Sequence, residues 1–306
     1  MIRVLRFALA ALAISSVAPL RAQAIDEKNV VSGKTALDPA KGYIFIRNST
    51  RAIGTFLRVP DEATRAEYQK DWEKAFVKAQ KHYQSQLHDW RFEATLAEKN
   101  KQPIPDKPEA PTRENFTIAS IESRDAVTFG PMFAYAKSES AVSYLTAVKP
   151  GTYIWYGPLI QIPAGGASGT CYCMGTIRFE VKPGTLTNLG DYLFVAPRTT
   201  EALDVMTREG LAKVREKAAK DAGGPVTISS NTAAPSFDLP ETLKAWPTAR
   251  AEFQANGKLN NFFGVYVSRI APIEGVIAYR RDTVIDARTN TDLPSSPIVT
   301  QVRIKK

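Results

Sequence analysis

The chain has 306 residues, with 40 Lys+Arg against 31 Asp+Glu, two histidines, two cysteines and a formal charge of +9. Two histidines leave little material for a Ser-His-Asp triad or a histidine-built metal centre. The basic excess is spread along the chain without a Lys/Arg block or a known nucleic-acid module, so no nucleic-acid partner is expected.

The opening MIRVLRFALAALAISSVAPLRAQA joins Arg3 and Arg6 to an apolar run from Phe7 to Val17 and a small-residue Ala22-Gln23-Ala24 end. That order is the pattern of a secretory signal peptide. The apolar run is shorter than the roughly 20 residues a membrane helix needs. Residues 1–24 therefore read as a leader, and the mature chain is expected to begin near Ile25. Loss of Arg3, Arg6 and Arg21 lowers the net charge from +9 to +6. No later stretch is apolar enough to span a membrane. The expectation is export to the periplasm of a Gram-negative cell, where a basic surface suits an anionic envelope surface or an envelope protein.

In chain order, GYIFIRNS from Gly42 reads as a strand buried on both faces, and GTFLRVP as a second strand ending at Pro60. The period then changes. From Asp61 to about Lys101 there is no Gly or Pro, and Asp61 is the expected N-cap. Tyr68, Trp72, Phe76, Ala79, Tyr83, Leu87, Trp90 and Ala94 recur at helical spacing as one apolar stripe. At 1.5 Å per residue such a helix is roughly 55–60 Å long, more than a compact domain is wide. It must therefore break into a hairpin or project. The stripe is a packing face, with a partner-binding face on Tyr68, Trp72, Phe76, Tyr83 and Trp90 as the second reading.

PIPDKPEAPTREN ends the helix with four prolines and reads as extended connection. NFTIASI, AVTFGPMFAYAKS, AVSYLTAV and TYIWYGPLIQIP read as strands, as do CYCMGTIRFEV and TLTNLGDYLFVAP. The KPG and AGGASG junctions between them suggest antiparallel pairing in a sandwich. AGGASG lacks the Lys-Ser/Thr ending of a phosphate loop and leads into a strand, so it reads as a hairpin loop. Thr200–Lys220 is a charged amphipathic helix, and PETLKAWPTARAEFQANGK a short helix or pair of turns. Together Thr200–Gly257 forms a helical connector. NNFFGVYVSRI, GVIAYRRDTVIDART and SPIVTQVRIKK return to strands.

YLTAVKPGTYIWYG followed by TIRFEVKPGTLTNLGDY carries a Pro-Gly-Thr-Tyr turn, then Phe-x-Val-x-Pro-Gly and Leu-Gly-x-Tyr. This pattern is similar to uncharacterised bacterial exported and lipoprotein β-sandwich families, over Gly42 to Val195. The resemblance implies a fold and no active site. The expected architecture is mainly β with helical insertions (α+β). An antiparallel sandwich occupies residues 25–198, with a helical insertion at 61–101. Residues 199–306 supply the connector and C-terminal strands that join the same sandwich.

The chemistry-bearing residues are few. Cys171 and Cys173 are the only cysteines and flank Tyr172. On a regular strand their Cα atoms stand about 6.5–7 Å apart, at the limit for a disulfide, and the preceding Gly-rich loop can supply a closing irregularity. A structural pair, bonded or free, is the leading reading. A redox pair is a second, and a soft-metal site for Cu(I) from Cys171, Cys173 and Met174 a third. His82 and His88 lie six apart on the predicted helix and converge on nothing. Glu201 with Asp204, and Asp282 with Asp286, share a face by periodicity alone and read as surface charge. YRRDTVID reads as a structural ion-pair patch. No cofactor is expected. The leading expectation is a non-enzymatic exported envelope protein that binds a partner through its helix and a sheet edge. An exported hydrolase acting on envelope polymers, with carboxylates still unassigned, is the rival.

Overall fold

The computed structural model describes residues 22–162, 166–195 and 234–294. Most of the expected leader, the helix expected at Thr200–Lys220, and all of SPIVTQVRIKK lie outside the described residues, as do Glu201 and Asp204. The described residues begin with β1 (Gln23–Ile25), α1 (Glu27–Val31), β2 (Gly42–Asn48), β3 (Gly54–Arg58) and α2 (Glu62–Lys99). An extended strap at 102–116 leads to β4 (Val127–Phe129), β5 (Ala136–Lys137), β6 (Val142–Val148) and β7 (Gly151–Gly157). Next come β8 (Leu159–Gln161), β9 (Ala167–Cys171), β10 (Thr176–Val181), β11 (Leu186–Asn188) and α3 (Tyr192–Val195). The last part holds β12 (Thr248–Arg250), β13 (Gln254–Asn256), β14 (Tyr266–Val267), β15 (Ile277–Arg280), β16 (Thr283–Asp286) and β17 (Thr291–Leu293).

The protein is mainly β with one long helical insertion. One sheet runs β1-β6-β2-β11-β12, with β5 also on β6, and the second runs β13-β10-β7-β3-β4. The main core lies between them. Ile44, Ile46 and Tyr144 from the first sheet meet Phe56, Phe129, Trp155 and Phe179 from the second. Alternate residues of β2 point the other way: Tyr43 and Phe45 join Leu145, Leu186 and Leu243 under the first sheet. That is why GYIFI has no polar alternation, since both faces of β2 are covered. A third cluster, with Leu57, Tyr156, Leu159, Cys171 and Cys173, covers the outer face of the second sheet.

Several local expectations are corrected. Pairing is antiparallel except at β2–β11, β11–β12 and β9–β14, which are parallel. The two KPG turns close no hairpins. Each carries the chain from one sheet to the other, β6 to β7 and β10 to β11, so the strands on either side belong to facing layers. The strands on either side of AGGASG, β8 and β9, do pair antiparallel. NFTIASI forms no strand. Phe116 turns to α2, and Ile121–Ser123 makes a 3-10 turn capped by the Ser120 hydroxyl. TLTNLGDY stops pairing after Asn188. Gly190 adopts φ 54°, and a Cβ there would lie 2.1 Å from the Ser236 carbonyl oxygen. The expected connector is not helical beyond Leu243: Thr248–Asn256 is two strands, with Ala251, Phe253 and Ala255 alternating into the core. Of the described C-terminal strands, β12 and β13 edge the two large sheets, while β14 to β17 form two small ones, β14-β9-β8 and β15-β16-β17.

At the N-terminal end, Gln23, Ala24 and Ile25 pair with Ala147, Thr146 and Leu145, and Ile25 is buried. Cleavage after Ala24 would leave Ile25 as the surviving residue of β1.

Candidate functional site

The most distinctive feature is an arm. Helix α2 is continuous over 38 residues, about 57 Å at 1.5 Å per residue. The Asp61 side chain caps it by accepting from the Thr64 N–H at 2.8 Å. Beyond its first turns, where Arg124 reaches Glu67 and Asp71, no other described helix or strand makes extensive contact with it. Its aromatic stripe is instead covered by the chain's own strap. Phe116 packs against Trp72 and Phe76, with ring centroids 5.6 and 5.5 Å apart. The Arg113 guanidinium lies over both rings and pairs with Glu73 at 3.0 Å. Further out, the Trp90 indole N–H donates to the Pro105 carbonyl at 2.8 Å, and Lys107 lies over the same ring. Proline suits this strap, because polyproline backbone stays extended without internal hydrogen bonds and ends the helix first.

The arm is rooted in a charged node. Arg58, the last residue of β3, has a side chain only 6 % exposed. Its guanidinium bonds Asp61, donates to the Thr64 hydroxyl at 3.2 Å and to Asp125 at 3.3 Å, and gives its Nε–H to the Pro150 carbonyl at 3.0 Å. Lys149 adds a second cation on Asp125 at 3.1 Å. Arg124 reaches Asp71 on the helix at 2.7 Å. Burial alone would push the Arg58 guanidinium down, but Asp61 and Asp125 outweigh it and its pKa is raised. The Arg58 hydrogen bond, helped by the Thr64 N–H, holds the Asp61 carboxyl well below the usual range. Gly151 of the Pro-Gly-Thr-Tyr turn is part of this root. A Cβ there would lie 3.1 Å from Arg58 Nε, and φ is 139°.

The residues expected to bind a partner are thus brought together on one face, but Tyr68, Trp72, Phe76, Tyr83 and Trp90 are half-buried or buried rather than presented. The opposite face is the free one. Lys70, Lys74, Lys78, Lys81 and Lys99 are exposed there, beside His88, Val77, Phe92 and Leu96. The apolar periodicity marks the side of the helix that the strap covers. The lysines recur at i, i+4, i+8 and i+11, which the sequence displays but the aromatic stripe outweighs.

The cysteines are bonded to each other, with Cα atoms 5.2 Å apart. They lie at the end of β9 and in the turn before β10, not at a strand start. The turn at 172–175 supplies the irregularity the spacing required. Both sulfur-bearing residues are buried beside Tyr156 and Leu159. A disulfide leaves no thiolate for Cu(I), so the set Cys171, Cys173 and Met174 does not act as drawn. His82 and His88 are exposed on α2. Asp286 pairs with Arg288 at 3.2 Å, and Arg280 with Asp292 at 3.4 Å, which accounts for the YRRDTVID patch as structural charge.

A polar groove of about 350 Å³ is lined by residues of β10 to β13 and their links. Arg178, Glu180, Lys182, Arg250 and Glu252 line it with Gln254. Glu180 comes from β10 and Glu252 from the β12–β13 link, so two acids from separate segments share one concave surface. Neither was singled out in the sequence, because nothing in their spacing connects them. No protein-family model, no curated protein and no solved structure matches this chain. Its function is therefore read from these surfaces.

Proposed function

We propose that this chain is an exported, non-enzymatic envelope protein of the β-sandwich type its Pro-Gly-Thr-Tyr pattern resembles, and that its sandwich is the mount for a stiff binding arm. The observation that carries this is the root: Arg58, Asp61, Asp125 and Pro150 fix the direction of a helix that makes no extensive contact with any other described helix or strand. Fixing a long helix by its first turn while a strap stiffens its length serves reach and orientation better than it serves core stability. The test is capture from envelope extracts, comparing wild type with a chain in which residues 66–117 give way to a short flexible linker. Arm-dependent recovery of a component is expected. Equal recovery of every component would sink the proposal. Export itself is checked by N-terminal sequencing of the secreted chain, with Ile25 expected first.

The groove supports the rival reading, hydrolysis of an envelope polymer, through Glu180 and Glu252. That reading predicts turnover lost in both Glu180→Gln and Glu252→Gln. Wild-type protein with no turnover on isolated envelope polymers would end it.

A further inference from the structure

The outward face of α2 has a composition that the root and strap do not explain. With 3.6 residues per turn, Lys70, Lys74, Lys78, Lys81 and Lys99 fall within about 60° of one direction, together with Val77, His88, Phe92 and Leu96. All are exposed, Phe92 at 70 % and Leu96 and Val77 at 49 % each. Among the described residues none of the five lysines has an ion pair or side-chain hydrogen bond. One acid, Glu67, shares the root end of this face and is held by Arg124 at 3.7 Å, while Asp71, also held by Arg124, and Asp89, against His88, stand at its border. The strap occupies the opposite side, and beyond the Arg124 contacts at the root the lysine face is exposed among the described residues.

From this face we infer that the arm lies on an anionic lipid surface, its lysines among the headgroups and Phe92, Leu96 and Val77 in the boundary beneath them. The inference rests on the reading of the arm as a binding element and names what it binds. The lysines alone would suit any polyanion. The apolar residues decide between them, because a soluble anionic polymer offers Phe92 nothing, whereas at a lipid boundary lysine stems and the apolar side chains between them share the apolar zone while the ammonium groups reach the headgroups. The helix is far too polar to cross a bilayer, and no described helix is long and apolar enough to do so. It would therefore lie in the plane of the surface.

The test is co-sedimentation with vesicles of phosphatidylcholine alone or with phosphatidylglycerol, using the purified chain and variants with identical N-termini, so that any contribution of residues 1–24 cancels. Wild type is expected to sediment with the phosphatidylglycerol vesicles and to be released by salt. Each lysine near such a surface contributes about a five-fold change in binding, so Lys74→Gln/Lys78→Gln/Lys81→Gln should weaken it on the order of 100-fold. Glutamine keeps the helix propensity, and circular dichroism verifies the fold. Phe92→Trp should blue-shift on adding anionic vesicles. Three results overturn the inference: equal binding to both vesicle types, an unaffected lysine variant, or Phe92→Trp emission that does not move while the protein sediments. If the lysine variant loses vesicles yet still captures an arm-dependent protein from extracts, lipid docking stands beside a protein partner. If wild type never binds vesicles yet captures that protein through the arm, lipid docking falls and the binding arm survives.

Discussion

Arg58→Ala tests the root of the arm most directly. The substitution removes the bonds to Asp61, Thr64, Asp125 and the Pro150 carbonyl. Breaking a buried charge pair from one side costs about 3–5 kcal/mol, mainly because the partner charge is left stranded. Here the stranding is partial. Asp61 is half exposed and can rehydrate, and Asp125 keeps Lys149. The low end, about 3 kcal/mol, therefore applies, and at about 2–4 °C per kcal/mol the melting temperature should fall by about 6–12 °C. Arg58→Lys keeps a charge but loses the planar fork, so an intermediate loss is expected. The acid limb gives a second readout. Asp61 has a depressed folded pKa, so its contribution is complete above the ordinary aspartate value of about 3.9 and is lost as pH falls toward the folded value. Arg58→Ala removes the largest cause of that depression, so stability below about pH 4 should fall less steeply in the variant. The assays are thermal unfolding across pH and hydrogen exchange in the first turns of α2. Wild-type melting to within about a degree, with unchanged exchange at Thr64 and Arg65, would refute the reasoning.

Phe116→Ala should free the strap while sparing the sandwich: faster proteolysis within 102–116 and altered Trp72 fluorescence are expected, with a local loss of about 1–2 kcal/mol. Gly54→Ala should be severe for its size, because a Cβ would lie 2.0 Å from Trp155 Cη2 and 2.7 Å from Phe129 Cε1. A destabilisation of about 1–3 kcal/mol by chemical denaturation is expected. Cys171→Ala/Cys173→Ala removes a disulfide closing a very short loop, so it should cost less than the roughly 3 kcal/mol of a 15-residue loop, seen as a shift of a few degrees in calorimetry.

How far the sequence could be read follows from how local each signal is. The helix, its Asp61 cap and its stripe were legible because periodicity and capping act within a few residues. The two-sided burial of β2 was legible for the same reason: Tyr43, Phe45, Ile44 and Ile46 leave no polar face. The KPG turns misled, because a Pro-Gly turn is compatible with a hairpin and with a crossing between layers, and only the partners of β6 and β7 decide. Thr248–Asn256 looked helical beside Pro247 because three-residue strands are too short to show alternation. The root was invisible, since Arg58, Asp125 and Pro150 are brought together from segments 67 to 92 residues apart. The lysine face was in plain view, yet its meaning depended on which side the strap would take.

The spread of the root along the chain also sets an order of events. Helix α2 and its strap are complete by Phe116, and each can form from residues already made. Asp125, Lys149 and the Pro150 carbonyl emerge only afterwards, so a chain appearing from its N-terminal end builds the arm before the socket that aims it. Aiming is then a late step, coupled to the arrival of β6 and β7. A refolding experiment with a spin label on the arm and another on the sandwich would show helix content rising before the inter-label distance narrows to one value. Simultaneous appearance of both signals would mean that the arm acquires its direction together with its shape.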